Sequence, residues 1–466
     1  MHDTELHYIE ALELARLLHA RKLSPVEVTQ AMLTRIERLD ARLKSYALVT
    51  ADLALDQARR AEAQIARRQI LSPLHGVPIA LKDLCFTQAI PTAAGMPLHR
   101  NFRPAFDGTV VRRLREAGTV LLGKLQLTEG AFADHHPDIP PPVNPWHADH
   151  WSGASSSGSG VATAAGLCFG SIGSDTGGSI RFPSAANGVT GIKPTWGRVS
   201  RHGAFELAAS LDHLGPMCRS AADAGAMLGL IAGADPDDPT ASLEPVPDYL
   251  AGGDAGLHGL RLGFDESFAC DAVDPGVRRS VLEALDVLRG LGVAVRPVRF
   301  PSPADALADW GANCAVETAV AHAATYPSRK AAYGPGLSGF IEAGRALSGL
   351  DYQRILLRRM AFRGQVSALF EQVDALLLPA QPFASPTVAR MATLGQVADE
   401  LTALIRYTAP FDMSGHPTIT LPAAFTPAGT PLAVQLVARH FGEATLVRAG
   451  MAFQRHTSWH RRHPGI

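Results

Sequence analysis

Two glycine- and serine-rich clusters and one strand-end lysine carry the residue types that acyl-transfer chemistry requires. Ser179 directly follows Asp175-Thr176-Gly177-Gly178, and Ser155 lies earlier, in Gly153-Ala154-Ser155-Ser156-Ser157-Gly158. Successive backbone N–H groups at Thr176, Gly177 and Gly178 can form a concave nest, the feature needed to hold the oxyanion of a tetrahedral intermediate. Lys82 ends the apolar run Ile79-Ala80-Leu81. Desolvation there lowers an amine pKa, and a neutral lysine can act as a general base. Taken singly, these positions also describe a loop serine, a flexible linker and an ordinary strand-end lysine.

Competing chemistries find less support. Gly118-Thr119-Val120-Leu121-Leu122-Gly123-Lys124 matches a phosphate-binding loop for seven positions, but Leu125 stands where a magnesium-binding Ser or Thr belongs. The stretch reads instead as a strand ending in Gly-Lys. The adjacent pair His135-His136 belongs to no HExxH pattern, and no GxSxG pentapeptide occurs. Cys85, Cys168, Cys218, Cys270 and Cys314 are odd in number, widely spaced and free of CxxC. That usage points to a reducing compartment and away from a zinc site.

The elements that must position these residues alternate between helix and strand, which indicates an α/β protein. Ser24-Pro25-Val26-Glu27 is a capping box with proline at the first helical position, followed at helical spacing by Val28, Met32, Ile36 and Leu39. Ala51 to Arg68 has the composition of a solvent-facing helix. His75 to Leu81 reads as a turn entering a short buried strand, Thr109 to Ala117 as a helix stopped by Gly118, and Val120-Leu121-Leu122 as a strand. Val161 to Ala165 predicts a buried helix between the two Gly/Ser clusters, which makes them tight loops in a core. Residues 235–258, rich in Asp, Pro and Gly, predict a peripheral loop. Later come a helix over Val277 to Leu288 and strands over Val293 to Val298 and Ala375 to Pro379, expected to join one large sheet rather than form a second domain divided off near residue 240.

Composition narrows the function further. The chain has 466 residues, 46% hydrophobic and 19% charged, as a globular protein with a large core requires. Its 43 Lys and Arg balance 44 Asp and Glu, which gives no electrostatic case for nucleic acid or an anionic membrane. No apolar run of membrane-spanning length occurs, and Met1 to Glu10 lacks a signal-peptide core. A cytoplasmic enzyme is expected.

Longer motifs extend these readings. Gly153 to Ser159 and Gly173-Ser174-Asp175-Thr176-Gly177-Gly178-Ser179-Ile180-Arg181-Phe182-Pro183 strongly resemble the amidase signature family. The similarity runs on through Gly191 to Thr195 and Ser210 to Pro216. It includes Gly76 to Asp83, which resembles the family's lysine motif, and Ser414 to Pro422, which looks like its C-terminal motif. It covers nearly the whole chain and is weakest around 240–370. Ala154 and Ser157-Gly158 stand where the family usually has further glycines, changes among small residues that touch the local backbone more than the chemistry.

The resemblance implies a large mixed β-sheet surrounded by helices, in a single domain over 1–466. N-terminal helices would occupy about 5–70, the signature core about 74–225 and the remainder of the sheet about 258–460. It implies that Ser179 is the acyl-forming nucleophile, that Ser155 follows a cis peptide bond and relays a proton, and that Lys82 is the base behind that relay. N–H groups near Thr176, Gly177 and Gly178 would hold the oxyanion, with no metal or organic cofactor. Gly130-Ala131-Phe132 would lie near the acyl pocket, with the loops around Pro379 and Ser414. The implied function is hydrolysis of an amide-type carbon–nitrogen bond of a small molecule to carboxylate and amine or ammonia. No nucleic-acid or membrane partner is implied, and a homodimer is allowed. Two other functions share these features: an amidotransferase A-type subunit that frees ammonia from glutamine for a partner, and a binding protein with a dead site. Joint retention of Lys82, Ser155 and Ser179 counts against the second. The residues do not separate aryl, aliphatic and urethane substrates.

Overall fold

In a computed structural model, residues 6–253, 255–394 and 398–466 are described. Eleven strands form one mixed sheet: β1 (Tyr46–Val49), β2 (Pro78–Lys82), β3 (Val120–Leu125), β4 (Gly170–Asp175), β5 (Thr190–Lys193), β6 (His213–Cys218), β7 (Arg261–Phe264), β8 (Ala294–Pro297), β9 (Ala375–Pro379), β10 (Thr418–Phe425) and β11 (Pro431–Ala438). Their order across the sheet is β1-β3-β2-β4-β6-β5-β10-β11-β9-β7-β8. Strands from the late part of the chain therefore extend the sheet begun by the early part, and helices surround it, as the motif resemblance implies. Among the described residues no helix is long and apolar enough to cross a membrane.

The interior strands nearest the β1 edge of this sheet dictate where chemistry can occur. β2 runs parallel to β3 on one side and to β4 on the other. Three parallel neighbours end at the same edge, so the loops that follow them converge there. Lys82 is the last residue of β2 and Asp175 the last of β4. Every residue of these three strands is buried, which explains their near-continuous apolar or small-residue composition.

Local chemistry accounts for the elements that support this edge. Ser24 Oγ accepts N–H bonds from Val26 and Glu27 at 3.1 and 3.2 Å and starts the helix Pro25–Leu43. The reciprocal half of the expected box, the Glu27 carboxylate accepting the Ser24 N–H, does not form among the described residues, and the Ser24 hydroxyl proton goes to Glu62. The helix Ala51–Ala66 is not wholly solvent-facing: Ala54, Ala58, Ala61 and Ile65 bury one face. Lys124, the end of the phosphate-loop look-alike, is buried in β3 and bonds the Cys85 carbonyl, Thr92 and Asp83. The described residues of 235–258 are irregular as expected, yet not simply peripheral. Asp235 is buried, and its Oδ2 accepts from Thr109 and Ser200 hydroxyls at 2.5 Å each.

The helix Ser157–Ala164 lies between the two Gly/Ser clusters and is buried throughout. Its small residues are required by the space. A Cβ on Gly158 would sit 2.5 Å from the Ser45 carbonyl oxygen and 2.6 Å from both Gln126 N and Gln126 O, all backbone atoms that cannot rotate away. Gly364, by contrast, is exposed in the helix Gly349–Leu369, with no atom within 4 Å of an added Cβ. Gly158→Ala is therefore expected to destabilise the protein by about 1–3 kcal/mol through overpacking, and Gly364→Ala to stabilise it by about 0.5–1 kcal/mol. Urea unfolding of the two variants checks both signs.

Candidate active site

Lys82 reaches from the end of β2 into a fully buried position where its three partners are hydroxyls. Nζ donates to Ser155 Oγ at 2.7 Å, Ser174 Oγ at 2.8 Å and Ser156 Oγ at 2.9 Å. No carboxylate forms an ion pair with it among the described residues. Burial pushes the amine down to about 7, against weaker upward pulls from Asp175, Cys85 and Asp212. An ammonium can donate to all three hydroxyls, but a neutral amine has two protons and one lone pair, so one hydroxyl must then donate to it. Ser156 cannot be that one, because its proton goes to the Ser174 carbonyl at 3.1 Å. Ser155 and Ser174 remain as donors to the neutral amine.

Ser155 is buried and follows a cis Ala154–Ser155 peptide. Its carbonyl accepts the Thr128 N–H at 3.2 Å, which joins the Ser155 loop to the loop after β3. Ser156 N–H donates to the Ser179 carbonyl at 3.3 Å, which joins it to the loop after β4. The structure thus brings Lys82, Ser155 and the Ser179 loop together. Ser179 itself is half-buried, whereas Lys82 and Ser155 are sealed behind it.

Asp175 organises the Ser179 loop. Its carboxylate accepts N–H bonds from Gly178 at 2.6 Å, Ile180 at 2.9 Å and Arg181 at 3.3 Å. It also accepts Arg181 Nε at 3.0 Å and Nη2 at 2.7 Å. Burial alone would raise this carboxyl, but Arg181, Lys193 and the Ile180 N–H together hold it well below the usual range. Arg181 continues to Asp412 at 2.5 Å and to the Thr408 carbonyl at 2.7 Å.

This arrangement corrects one part of the sequence reading. Gly178 N–H is committed to Asp175 and is not free for an oxyanion. Among the described residues the N–H groups of Thr176, Gly177 and Ser179 have no acceptor. The two glycines serve packing: a Cβ on Gly177 would meet the Trp310 ring at 2.2 Å, and one on Gly178 the Phe182 ring at 2.3 Å.

Gly130-Ala131-Phe132 follows Thr128 in the loop joined to Ser155. Gly130 N–H donates to the Ala94 carbonyl at 2.9 Å. Ala131 lines a small cavity with Ser174 and Asp212, and Phe132 stacks on Phe340 at 4.1 Å between ring centroids. Pro379 ends β9, where its carbonyl accepts Gln435 Nε2 at 3.1 Å. Ser414 lies against His416 and His440, whose rings stack at 3.9 Å. A groove of about 930 Å³ runs past His135, Trp151 and Gly153, the segment leading into Ser155. His135 bonds Ser157 Oγ at 3.2 Å, and no group of three metal-ligating side chains occurs among the described residues. The sequence does not single out Ser156, Ser174, Arg181 or Asp412. The alternation of Ser with Gly in β4 and the serine triplet at 155–157 are the signals that point to the first two.

Comparison with known proteins follows the same motifs. The family model described as Amidase matches residues 27–447. A Mycobacterium tuberculosis (strain ATCC 25618 / H37Rv) protein named "Putative amidase AmiD" is 52% identical over 459 residues, spanning 98% of this chain and 96% of its own. The glutamyl-tRNA(Gln) amidotransferase A-type subunit of Geobacter sp. (strain M21) is 37% identical over 476 residues, 96% of this chain and 97% of its own. The crystal structure of native peptide amidase from Stenotrophomonas maltophilia superposes with a TM-score of 0.85 at 29% identity, covering 98% of each chain.

The buried amine makes a prediction with a definite sign. Its folded pKa, about 7, lies below the ordinary 10.5. Between these values the unfolded chain binds more protons, so stability rises with pH across this window and the cost of burying the charge is largest below about 7. Lys82→Met removes that cost, which is on the order of 4 kcal/mol before lost hydrogen bonds are counted. Relative to wild type, the variant's stability should therefore be highest near pH 6 and fall by several kcal/mol toward pH 10, as read by chemical unfolding across that range. A difference that does not vary with pH would mean that Lys82 stays charged.

Proposed function

The chain belongs to the amidase signature family, and from that premise we propose that it hydrolyses a small-molecule amide through an acyl-enzyme on Ser179. The family and its relatives make it a hydrolase of amide carbon–nitrogen bonds. The observation that carries the residue assignment is the 2.7 Å contact between Lys82 Nζ and Ser155 Oγ, in a buried site where the lysine's partners among the described residues are hydroxyls.

In this reading neutral Lys82 takes the Ser155 proton while Ser155 Oγ takes the Ser179 proton. Ser179 Oγ attacks the carbonyl carbon, and the carbonyl electron pair moves to oxygen. The free N–H groups of Thr176, Gly177 and Ser179 receive that oxyanion. As the carbon–nitrogen bond breaks, the proton held by Lys82 returns through Ser155 to the leaving nitrogen, which departs as amine or ammonia. Water then enters, the same relay removes its proton, and the ester bond to Ser179 breaks to release the carboxylate and restore the hydroxyl. Protons and acyl group balance without a further co-reactant. Asp175 and Arg181 hold the loop in shape throughout.

Five buried, unpaired cysteines support placing the enzyme in the cytoplasm. One chain supplies every group in the relay, so a homodimer is not needed for the chemistry. The 37% identical amidotransferase relative keeps a second reading open to test, with glutamine as the ammonia source. A panel of anilides, alkyl amides, carbamates and glutamine separates the two. Turnover of a simple amide by the purified chain supports the amidase reading, and turnover of glutamine alone supports the other. On the substrate that is cleaved, Ser179→Ala should lower turnover at least about ten-thousandfold, with an unchanged circular dichroism spectrum. Wild type should gain a fluorophosphonate adduct on Ser179 by mass spectrometry. A variant keeping most of its turnover contradicts the nucleophile assignment.

A further inference from the structure

The three free N–H groups of the Ser179 loop belong to peptide units whose carbonyl oxygens lie on the preceding residues. Asp175 supplies the carbonyl for the Thr176 N–H, Thr176 that for Gly177, and Gly178 that for Ser179. Each of these carbonyls accepts a hydrogen bond. Phe182 N–H donates to the Gly178 carbonyl at 2.7 Å, within the local turn. The other two donors are side chains from distant segments. Trp310 Nε1, from the helix Ala304–Ala321, donates to the Thr176 carbonyl at 2.9 Å. His213 Nδ1, from the start of β6, lies 3.1 Å from the Asp175 carbonyl.

The surroundings of His213 settle where its proton lies. A carbonyl only accepts, and the Asp175 carbonyl is the hydrogen-bond partner of its Nδ1. Nδ1 therefore carries hydrogen. Burial, with repulsion from Lys193, pushes this imidazole well below its ordinary range, so it is neutral and Nε2 is an acceptor. Lys193 Nζ lies 3.1 Å from Nε2 and also donates to the Pro194 carbonyl at 3.0 Å. Lys193 thus fixes the tautomer that His213 presents to the loop.

We propose that Trp310 and His213, the latter backed by Lys193, are positioning residues for the oxyanion site, each donating to the carbonyl of a peptide unit whose N–H faces the developing charge. Such a bond does two things. It fixes the plane of the peptide, and it draws electron density toward the carbonyl oxygen, which makes the N–H of that unit a stronger donor; cooperative strengthening is about 10–30% per bond. Trp310 does this for Gly177 and His213 for Thr176. The inference rests on Ser179 as nucleophile.

Trp310→Phe removes the N–H donor together with the part of the indole that lies against Gly177 (Cζ2, Cε2 and Cη2), so the thermal midpoint and the His213 variants separate the lost bond from lost packing. The measurements are kcat and KM on the amide turned over fastest by wild type, the inhibition constant of a trifluoromethyl ketone analogue of that amide, and the thermal midpoint. We expect kcat to fall about tenfold, less than the hundred- to thousandfold loss of an oxyanion donor itself. KM should stay within about twofold, and the ketone, whose adduct places an oxyanion in the site, should weaken by the same factor as kcat. His213→Leu should show the same pattern, and His213→Gln, which retains a side-chain N–H, should recover part of it. If His213→Leu does not fold, Trp310→Phe, whose side chain is partly exposed, decides alone. Unchanged kcat, a loss confined to KM, or a loss of kcat with undiminished ketone affinity would overturn the inference. If wild type forms no covalent adduct on Ser179, the underlying nucleophile assignment fails; if it forms the adduct and Trp310→Phe behaves as wild type, only the positioning role fails.

Discussion

An amine buried without a carboxylate partner among the described residues is the constraint around which this structure is arranged. Lys82 ends an interior strand whose neighbours on both sides run parallel to it, and its side chain is fully buried. Burial strongly disfavours its charged form, and hydroxyls satisfy the hydrogen bonds of either form without restoring the charge. A carboxylate in place of any one of the three serines would return the amine to its ordinary range and end its use as a base. The demand for hydroxyls at Ser155, Ser156 and Ser174, and for small residues everywhere else around them, explains why the segment between the two clusters is so poor in large side chains.

A second buried network serves geometry. Asp175, Arg181 and Asp412 are all sealed from solvent. Desolvating such charges costs as much as their attraction returns, so the network is weak grounds for stability and better grounds for a fixed arrangement. Asp175 gathers the backbone of the Ser179 loop on one side, while Arg181 ties it to Thr408 and Asp412 on the other. The early motif loops are thereby held by the late part of the chain, whose strands β10 and β11 extend the same sheet. Asp412 shows the strain on this balance: burial raises its carboxyl well above the usual range despite Arg181, and its Oδ1 has no hydrogen-bond partner among the described residues.

Much of the site's surroundings is legible in the sequence because its chemistry is local. The Ser24 cap, the apolar run ending at Lys82, the turn at Gly118 and the strand Ala375–Pro379 each follow from residues adjacent in sequence. The illegible parts depend on distant partners. The helix Ala304–Ala321 gives no sequence signal because its buried face is made of Ala306, Asp309, Asn313, Cys314, Ala315 and Thr318, small or polar residues that leave no hydrophobic period. Trp310 on that helix therefore gives no sign of its place over Gly177. Gly178 reads as having a free N–H because sequence shows a nest-forming pattern but not the carboxylate that occupies it. Lys193 and His213 fall within motif segments, but nothing in the sequence pairs them until the sheet brings β5 beside β6.

The central claim, that Lys82 rests near neutrality, is tested most directly by nuclear magnetic resonance. Selective carbon-13 labelling of lysine Cε, with Lys82→Met to assign the signal, follows the protonation of this one amine in the folded protein. A titration near pH 7 is expected, matching the folded value set by burial. A Lys82 signal that keeps the shift of a charged ammonium up to about pH 10, where free lysines titrate, would contradict it.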